Sequence, residues 1–284
     1  MKHKTPTKRK IHKTLSHREE SEVIDERYKN MPILLQDFFI ELAQLSRFTV
    51  KFFLEIFKPP FEFREILNQA YKLGYQSLFL VGLSGFIIGL VMTLQVRPTM
   101  VDFGAESLIP SMISISLIRE IGPVLTALIC AGKVGSSIGA ELGSMKVTEQ
   151  IDAMAVSGAN PYNYIVVTRV ISTTLMVPIL VFYADAIGLF GSYVALNINS
   201  NINIELYFYQ ALGALQFSDV FPATIKTFFF GFAIGVIGCF KGYNASQGTV
   251  GVGTAANSAV VLSSLTVFII DMIAVQLTQI FVYN

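Results

Sequence analysis

Residues 77–96 read SLFLVGLSGFIIGLVMTLQV, twenty consecutive positions without a charged side chain. The hydrocarbon core of a bilayer is about 30 Å thick and is crossed by roughly 20 apolar residues in a helix. A soluble helix keeps a polar face, and this segment has none over its whole length. The stretch therefore predicts a membrane span, and it decides the fold class.

The composition of the whole chain agrees with this prediction. Only 14% of the 284 residues are charged, against roughly 25% in soluble domains. From position 75 onward the chain holds only seven basic and ten acidic residues. Two cysteines and a net charge of +1 exclude a disulfide scaffold and a basic nucleic-acid-binding domain. We expect an all-α polytopic membrane protein that binds no nucleic acid.

Four further apolar segments follow the first one and bring the predicted number of spans to five. They are Ser107 to about Ile138, Val170–Leu196, Phe221–Phe240 and Ala255–Val282. Basic residues near span ends indicate the cytoplasmic side of a membrane protein. With the N-terminus inside, only Arg97 and Lys226 fall near the outside, so we predict an N-in, C-out topology. The basic residues inside would then be Lys133, Lys146, Arg169 and Lys241.

The region before the first span divides into two parts. Residues 1–32 are polar and predict a disordered cytoplasmic tail, which is either solvated or in contact with anionic headgroups. Residues 33–58 carry a single polar stripe opposite bulky apolar side chains, a pattern typical of a helix lying in the membrane interface. We therefore assign residues 33–74 to an interfacial helix with its connector, and residues 75–284 to a five-span membrane domain.

Two motifs resemble catalytic ones, but neither has the partners that catalysis needs. Gly135–Gly139 matches the serine pattern G-x-S-x-G, but a nucleophilic serine needs a base. The three histidines all lie in the tail, at His3, His12 and His17. The glycine-rich run Gly248–Gly253 lacks the Lys-Ser/Thr ending of a phosphate-binding loop. We expect no enzyme activity, no cofactor and no metal site.

Glycines repeat every three or four residues in three of the predicted spans. Such stripes let helix backbones approach closely in lipid, where apolar burial gives no driving force. The pattern predicts tight helix packing, either within one chain or across a homodimer. The glycines assigned to this role are Gly85, Gly89, Gly132, Gly135, Gly139, Gly231 and Gly235.

Among the charged residues within the predicted spans, four stand out: Arg119, Glu120, Lys226 and Asp271. A charge in a span is costly and therefore faces protein or water. One interpretation is that Arg119 with Glu120, and Lys226 with Asp271, form ion pairs that fix helix register. The other is that the four line a polar substrate cavity. A fifth charge, Asp185, is open to a structural or a functional role.

A short amphipathic segment at about residues 144–156 connects the second and third spans. Periodicity alone fits two roles equally well: docking of a motor subunit, or lying against the membrane surface. Gly158 and Pro161 end the segment. The docking interpretation makes it the coupling helix of a transporter.

Three strings in this part of the chain resemble the MlaE-type permease family of ABC transporters, which act with MCE proteins to move lipids between membranes. They are REIGPVLTAL at residues 119–128, AGKVGS at 131–136, and AELGSMKVTEQIDAM at 140–154. One departure is Lys133, where the family more often has arginine, whose planar fork lysine lacks.

The resemblance implies a homodimer that carries phospholipid or a related lipid between its two subunits. It places an ATPase against the cytoplasmic helix, an MCE-domain protein on the periplasmic side, and the lipid path at Arg119, Glu120, Lys226 and Asp271. The membrane would be a bacterial inner membrane, or alternatively the plastid inner envelope. The residues expected to contact the ATPase are Lys146, Glu149, Gln150, Asp152 and Met154.

A rival function is an ion-coupled secondary carrier that works without an ATPase. Glu120 and Asp271 would then be its ion sites. Two features weigh against this alternative: we find no inverted repeat between the two halves of the sequence, and five spans do not divide into two equal halves.

Overall fold

The computed structural model describes residues 33–59, 61–198 and 202–282. Within these ranges the regular structure is entirely helical, and five helices are long and apolar enough to cross a membrane. The all-α class and the five spans are therefore confirmed. The predicted disordered tail, residues 1–32, lies outside the described residues.

We number the helices in chain order. They are α1 (Ile33–Glu55), α2 (Phe63–Asp102), α3 (Glu106–Val147), α4 (Gln150–Val156), α5 (Tyr162–Asn197), α6 (Ile204–Gly213), α7 (Phe217–Tyr243) and α8 (Thr249–Val282). The spans are α2, α3, α5, α7 and α8. We call the two ends of the bundle the Phe63 end and the Asp102 end, after the first and last residues of α2.

The first span is longer than the sequence predicts. The connector before it does not form a separate segment, because one continuous helix of 40 residues runs from Phe63 to Asp102. Pro59 lies before the start of this helix. No residue interrupts the helix until Pro98, which lies close to its end.

Two spans depart from regular α-helix. Helix α3 contains π turns at Leu117–Ile121 and Ala131–Gly135, and α5 begins with a π turn at Tyr162–Val167. The first of these turns is followed directly by Gly122 and Pro123. Because Pro123 has no N–H, it cannot continue the ordinary hydrogen-bond ladder, and Gly122 donates to the Leu117 carbonyl instead.

The chain divides into two compact units, the first ending at Lys51 and the second beginning at Phe52. In the first unit, the described part of α1 exposes Phe39, Ile40 and Leu42. Exposed bulky apolar side chains on a charged helix are what an interfacial helix requires. Its location in the membrane interface remains a prediction.

The second unit begins with the last turn of α1, which is held against the start of α5. The ring of Phe52 packs edge-on against Phe232, with 5.6 Å between ring centroids. Asn160 donates its side-chain N–H to Glu55 at 2.8 Å, and Asn163 donates to the Lys58 carbonyl at 2.9 Å. The entry of the chain into the bundle is therefore fixed by α5.

Helix α5 is the centre of the bundle, and glycines on its neighbours let them approach it. A Cβ at Gly85 of α2 would come within 2.6 Å of the Ala184 carbonyl oxygen, and one at Gly89 would overlap the Gly188 backbone. On α7, a Cβ at Gly231 would meet the Thr173 carbonyl oxygen at 2.6 Å. These spans pack backbone to backbone.

The remaining glycines of the predicted stripes differ among themselves. Gly235 packs tightly on Thr173, Gly139 faces Ala256 and Ala259 of α8 at 3.2 Å, and a Cβ at Gly135 would make ordinary contacts. A Cβ at Gly132, inside the second π turn, would meet nothing within 4 Å among the described residues of this chain. A packing role for Gly132 therefore stays a prediction, and it would require contact with a second copy of the chain.

At the Asp102 end, α6 covers the bundle with a small apolar core. Its members are Ile109, Ile113, Leu196, Tyr207 and Ala211. Burial raises the pKa of the Tyr207 phenol, so this ring packs as a neutral group at physiological pH.

Candidate functional site

Lys226 is the centre of a charged cluster that joins three spans. The residue is only 4% exposed in α7. Its ammonium nitrogen lies 2.6 Å from Glu120 Oε2 of α3 and 3.0 Å from Asp271 Oδ1 of α8. One cation therefore binds two carboxylates contributed by different helices.

The two carboxylates are not equally accessible. The Asp271 side chain is 19% exposed, and that of Glu120 is 44% exposed. The buried pair is therefore Lys226 with Asp271, which is one of the two pairs considered from the sequence. Glu120 joins it from the open side of the cluster.

Arg119 contacts a residue that the sequence did not point to. Its Nη1 lies 3.7 Å from Oδ1 of Asp219, which is buried in the first turn of α7. Asp219 also accepts a hydrogen bond from the Gln216 backbone N–H at 3.0 Å, as part of a capping box. Charged residues before the apolar stretch from Phe221 were not counted as part of the span, and Gln216-x-x-Asp219 differs from the usual Ser/Thr-x-x-Glu/Gln signature of a capping box.

The π turn of α3 places Arg119 and Glu120. Both lie inside Leu117–Ile121, and neighbouring residues on a helix do not face each other. Arg119 therefore contacts Asp219, and Glu120 contacts Lys226. π turns occur frequently at functional sites, because they change the direction of side chains without ending the helix.

A polar hollow of about 40 Å³ lies among these charges, lined by Arg119, Glu120, Asp219 and Lys226. It adjoins an apolar groove of about 490 Å³ between α7 and α8. The apolar side chains that line the groove include Phe221, Ile225, Phe229, Ile273, Leu277 and Phe281. Lys226 lines both spaces. The arrangement therefore suits a molecule with a charged or polar head and a long apolar tail.

The groove is open because α8 is the least buried span. Only 17% of its most apolar stretch is buried, against 67% for α5. Its exposed face carries bulky apolar side chains, among them Phe268, Ile269 and Met272.

Comparison with known proteins now gives the family. The sequence profile of Permease MlaE matches residues 66–277, which include all five spans apart from the first residues of α2 and the last residues of α8. The chain belongs to the MlaE permease family.

Similar proteins come from bacteria and from plants. A probable ABC transporter permease protein of Rickettsia typhi is 39% identical over 222 residues, covering 78% of this chain and 86% of that protein. A probable ABC transporter permease protein of Synechocystis is 37% identical, covering 78% and 84%. The chloroplastic protein TRIGALACTOSYLDIACYLGLYCEROL 1 of Arabidopsis thaliana is 34% identical, covering 78% and 63%. The chain is thus a membrane-spanning ABC transporter permease.

The Phe63 end of this MlaE permease carries a second ion cluster. Glu141 of α3 accepts from Arg169 of α5 at 3.0 Å and from Lys72 of α2 at 3.4 Å. Arg169 is buried, and its Nη1 also donates to the Ile165 carbonyl at 3.0 Å. This cluster holds α2, α3 and α5 together at the end of the bundle where α4 lies.

The segment predicted as a coupling helix is divided in the structure of the permease. Residues 144–147 continue α3, and a separate helix, α4, covers Gln150–Val156. Glu149 separates the two with a φ of 58°, a left-handed conformation that is costly for a residue with a Cβ. The chain therefore turns sharply at this point.

The five predicted coupling residues have different surroundings. Lys146 and Asp152 bind each other at 3.1 Å across the turn. Glu149 and Gln150 are exposed, and Met154 is half-buried. Ile151 is the buried anchor of α4. A surface with carboxylate, amide and apolar groups therefore surrounds the turn.

Proposed function

We propose that this permease moves a lipid, and that the lipid places its head in the polar hollow and its acyl chain in the α7–α8 groove. The observation that carries the proposal is that buried Lys226 lines both spaces. Binding sites for amphiphiles combine a mostly apolar surface with a few placed polar groups. The Arabidopsis relative is named after a glycerolipid, which supports a lipid as the transported molecule.

The four charged residues would divide the work of holding a phospholipid head. Arg119 and Lys226 would bind the phosphate, since charge-assisted hydrogen bonds to phosphate are strong. Glu120 and Asp271 would position the Lys226 ammonium group and would form ion pairs with it again when the lipid leaves. The site would therefore exchange carboxylate for phosphate around one ammonium group.

We further propose that two copies of the chain complete the lipid path. The exposed apolar face of α8 borders the groove, and a second copy would cover it. A phospholipid enclosed between two such faces would be protected from water along its length. The dimer would be the transporting unit.

The partners follow from the same proposal. An ABC permease works with an ATPase, and we place it at the Phe63 end, on the turn between α3 and α4. The MCE-domain protein would continue the lipid path at the Asp102 end. The N-in, C-out topology predicted from the basic residues puts the ATPase in the cytoplasm. The membrane would be a bacterial inner membrane, or alternatively the plastid inner envelope.

The test is lipid transfer by the complex with its ATPase, reconstituted in liposomes. We expect Arg119→Ala and Lys226→Ala to reduce ATP-dependent transfer of a fluorescent phospholipid, with dimer assembly retained on size exclusion. Arg97→Ala is the matched control. Arg97 also forms an ion pair, with 3.0 Å between its Nη2 and Glu106 Oε1, but it does not line the groove. Wild-type transfer rates in both Arg119→Ala and Lys226→Ala would refute the proposal that the lipid head binds in the polar hollow. Gradient-driven transport without ATPase would favour the ion-coupled carrier instead.

A further inference from the structure

A second polar site lies beside the charged cluster, in a very small cavity between α3, α5 and α7. Asp185 of α5 is 5% exposed. Its Oδ1 is fully buried and accepts no hydrogen bond from any described residue. The cavity measures about 10 Å³, which is close to the smallest volume that holds one water molecule or one small ion. The role of Asp185 is not accounted for by the lipid path.

The polar groups around this cavity all accept and none donates. Besides Asp185, the polar residues that line the cavity are Thr224 and Thr227. Thr224 already donates its hydroxyl proton to the Val220 carbonyl at 2.8 Å, and Thr227 donates its own to the Thr224 carbonyl at 2.7 Å. Each hydroxyl therefore has only lone pairs left to offer to an occupant.

The carboxylate has little freedom to turn away. A Cβ at Gly122 would collide with Asp185 Oδ1, so the carboxyl group lies directly against the backbone of α3 after the π turn. The rest of the lining is apolar, for example Ile118 and Val181. An ionised carboxylate without a countercharge is unfavourable in such surroundings.

The charged groups on the neighbouring helices have other partners. Arg119 and Glu120 on α3 contact Asp219 and Lys226 of α7. On α2, Gly82 and Gly85 lie against Tyr183 and Ala184 of α5, and Tyr183 is the titratable residue of α5 nearest to Asp185 along the chain. Asp185 is the one titratable residue in the lining of the cavity.

We propose that Asp185, Thr224 and Thr227 form a buried site for a single positive charge. The charge is either a proton on the Asp185 carboxylate or a sodium ion bound by the three oxygens. Hard monovalent cations and protons use the same oxygen ligands within membrane spans. The proposal concerns this cavity alone and does not depend on lipid transport.

The first arm of the test measures thermal unfolding of the purified full chain in detergent. Sodium chloride replaces choline chloride at constant ionic strength. If the occupant is sodium, the Tm of wild type rises with sodium. The half-saturating concentration should then be about tenfold higher in Thr227→Val, a loss of roughly 1.4 kcal/mol. Asp185→Asn should show no response. Thr266→Val is the control, because Thr266 also donates to its own helix, at Leu262, in α8.

The second arm detects the proton by infrared spectroscopy. If the occupant is a proton, the Tm is independent of sodium, and wild type shows the carbonyl band of a protonated carboxylic acid that Asp185→Asn removes. Should Asp185→Asn fail to fold, Asp185→Ser replaces it. A Tm independent of sodium, together with no acid band lost in the variant, would overturn the proposal and leave a water molecule as the occupant.

Discussion

Replacing Lys226 by methionine removes the one cation that binds two carboxylates in the charged cluster. The methionine keeps the length and the apolar stem of the side chain. Breaking a buried ion pair by removing one partner costs about 3–5 kcal/mol, because it leaves an uncompensated charge. Asp271, whose side chain is 19% exposed, would bear most of that penalty.

Glu120 contributes less, although its contact with Lys226 is the shorter one at 2.6 Å. Its side chain is 44% exposed, and water screens a pair of that kind to about 1 kcal/mol or less. We therefore expect Lys226→Met to destabilise most, Asp271→Asn less, and Glu120→Gln least. The shorter distance does not mark the stronger interaction, because burial decides.

The triple variant separates a structural charge balance from simple loss of packing. With Lys226→Met, Glu120→Gln and Asp271→Asn combined, no buried charge is left unpaired, and most of the lost stability should return. The assay is unfolding in mixed detergent–SDS micelles, followed by helix content. A triple variant as unstable as Lys226→Met alone would refute this reasoning, and so would a loss in Glu120→Gln equal to that in Asp271→Asn.

Three further predictions follow from the rest of the structure. Gly89→Ala should lower stability by about 1–3 kcal/mol through overpacking against α5. Gly132→Ala is the control and should leave the Tm unchanged, because the added Cβ would meet open space. Equal shifts of the Tm in the two variants would contradict the packing of α2 on α5. Glu149→Gly relieves the left-handed residue and should raise stability by about 1 kcal/mol in thermal unfolding, so a loss would show that the Glu149 side chain stabilises the turn. Asp152→Lys should weaken capture of the ATPase in a pull-down, and the exchange Lys146→Asp with Asp152→Lys should restore the local ion pair without restoring capture. Restored capture would mean that only the ion pair matters.

The spans could be predicted from the sequence because the signal for a span is local. Twenty uncharged residues such as 77–96 cross a bilayer whatever their neighbours do. The charged residues within the spans were also visible, because each one interrupts an apolar stretch. A charged residue inside a span can therefore be found from its position in the sequence alone.

The partners of those charges were not predictable in the same way. Whether Lys226 meets Glu120, Asp271 or both depends on how three helices are rotated about their axes. A π turn changes that rotation. Apart from Pro123, no residue pattern in the sequence indicated the π turn at Leu117–Ile121. The same limit applies to Gly132, which keeps the glycine spacing in sequence but packs against no described residue of this chain.

The π turn of α3 connects the charged cluster with the Asp185 cavity. Ile118 lines the cavity, and the next two residues, Arg119 and Glu120, line the polar hollow. The directions of these three side chains depend on the hydrogen bonding of the π turn. In this turn the Gly122 N–H donates to the Leu117 carbonyl, and Gly122 lies against Asp185. A shift of this turn to regular α-helix would move Glu120 relative to Lys226 and Ile118 relative to Asp185 in the same step. The two polar sites therefore share one structural element, and the same π turn positions the α3 residues of both.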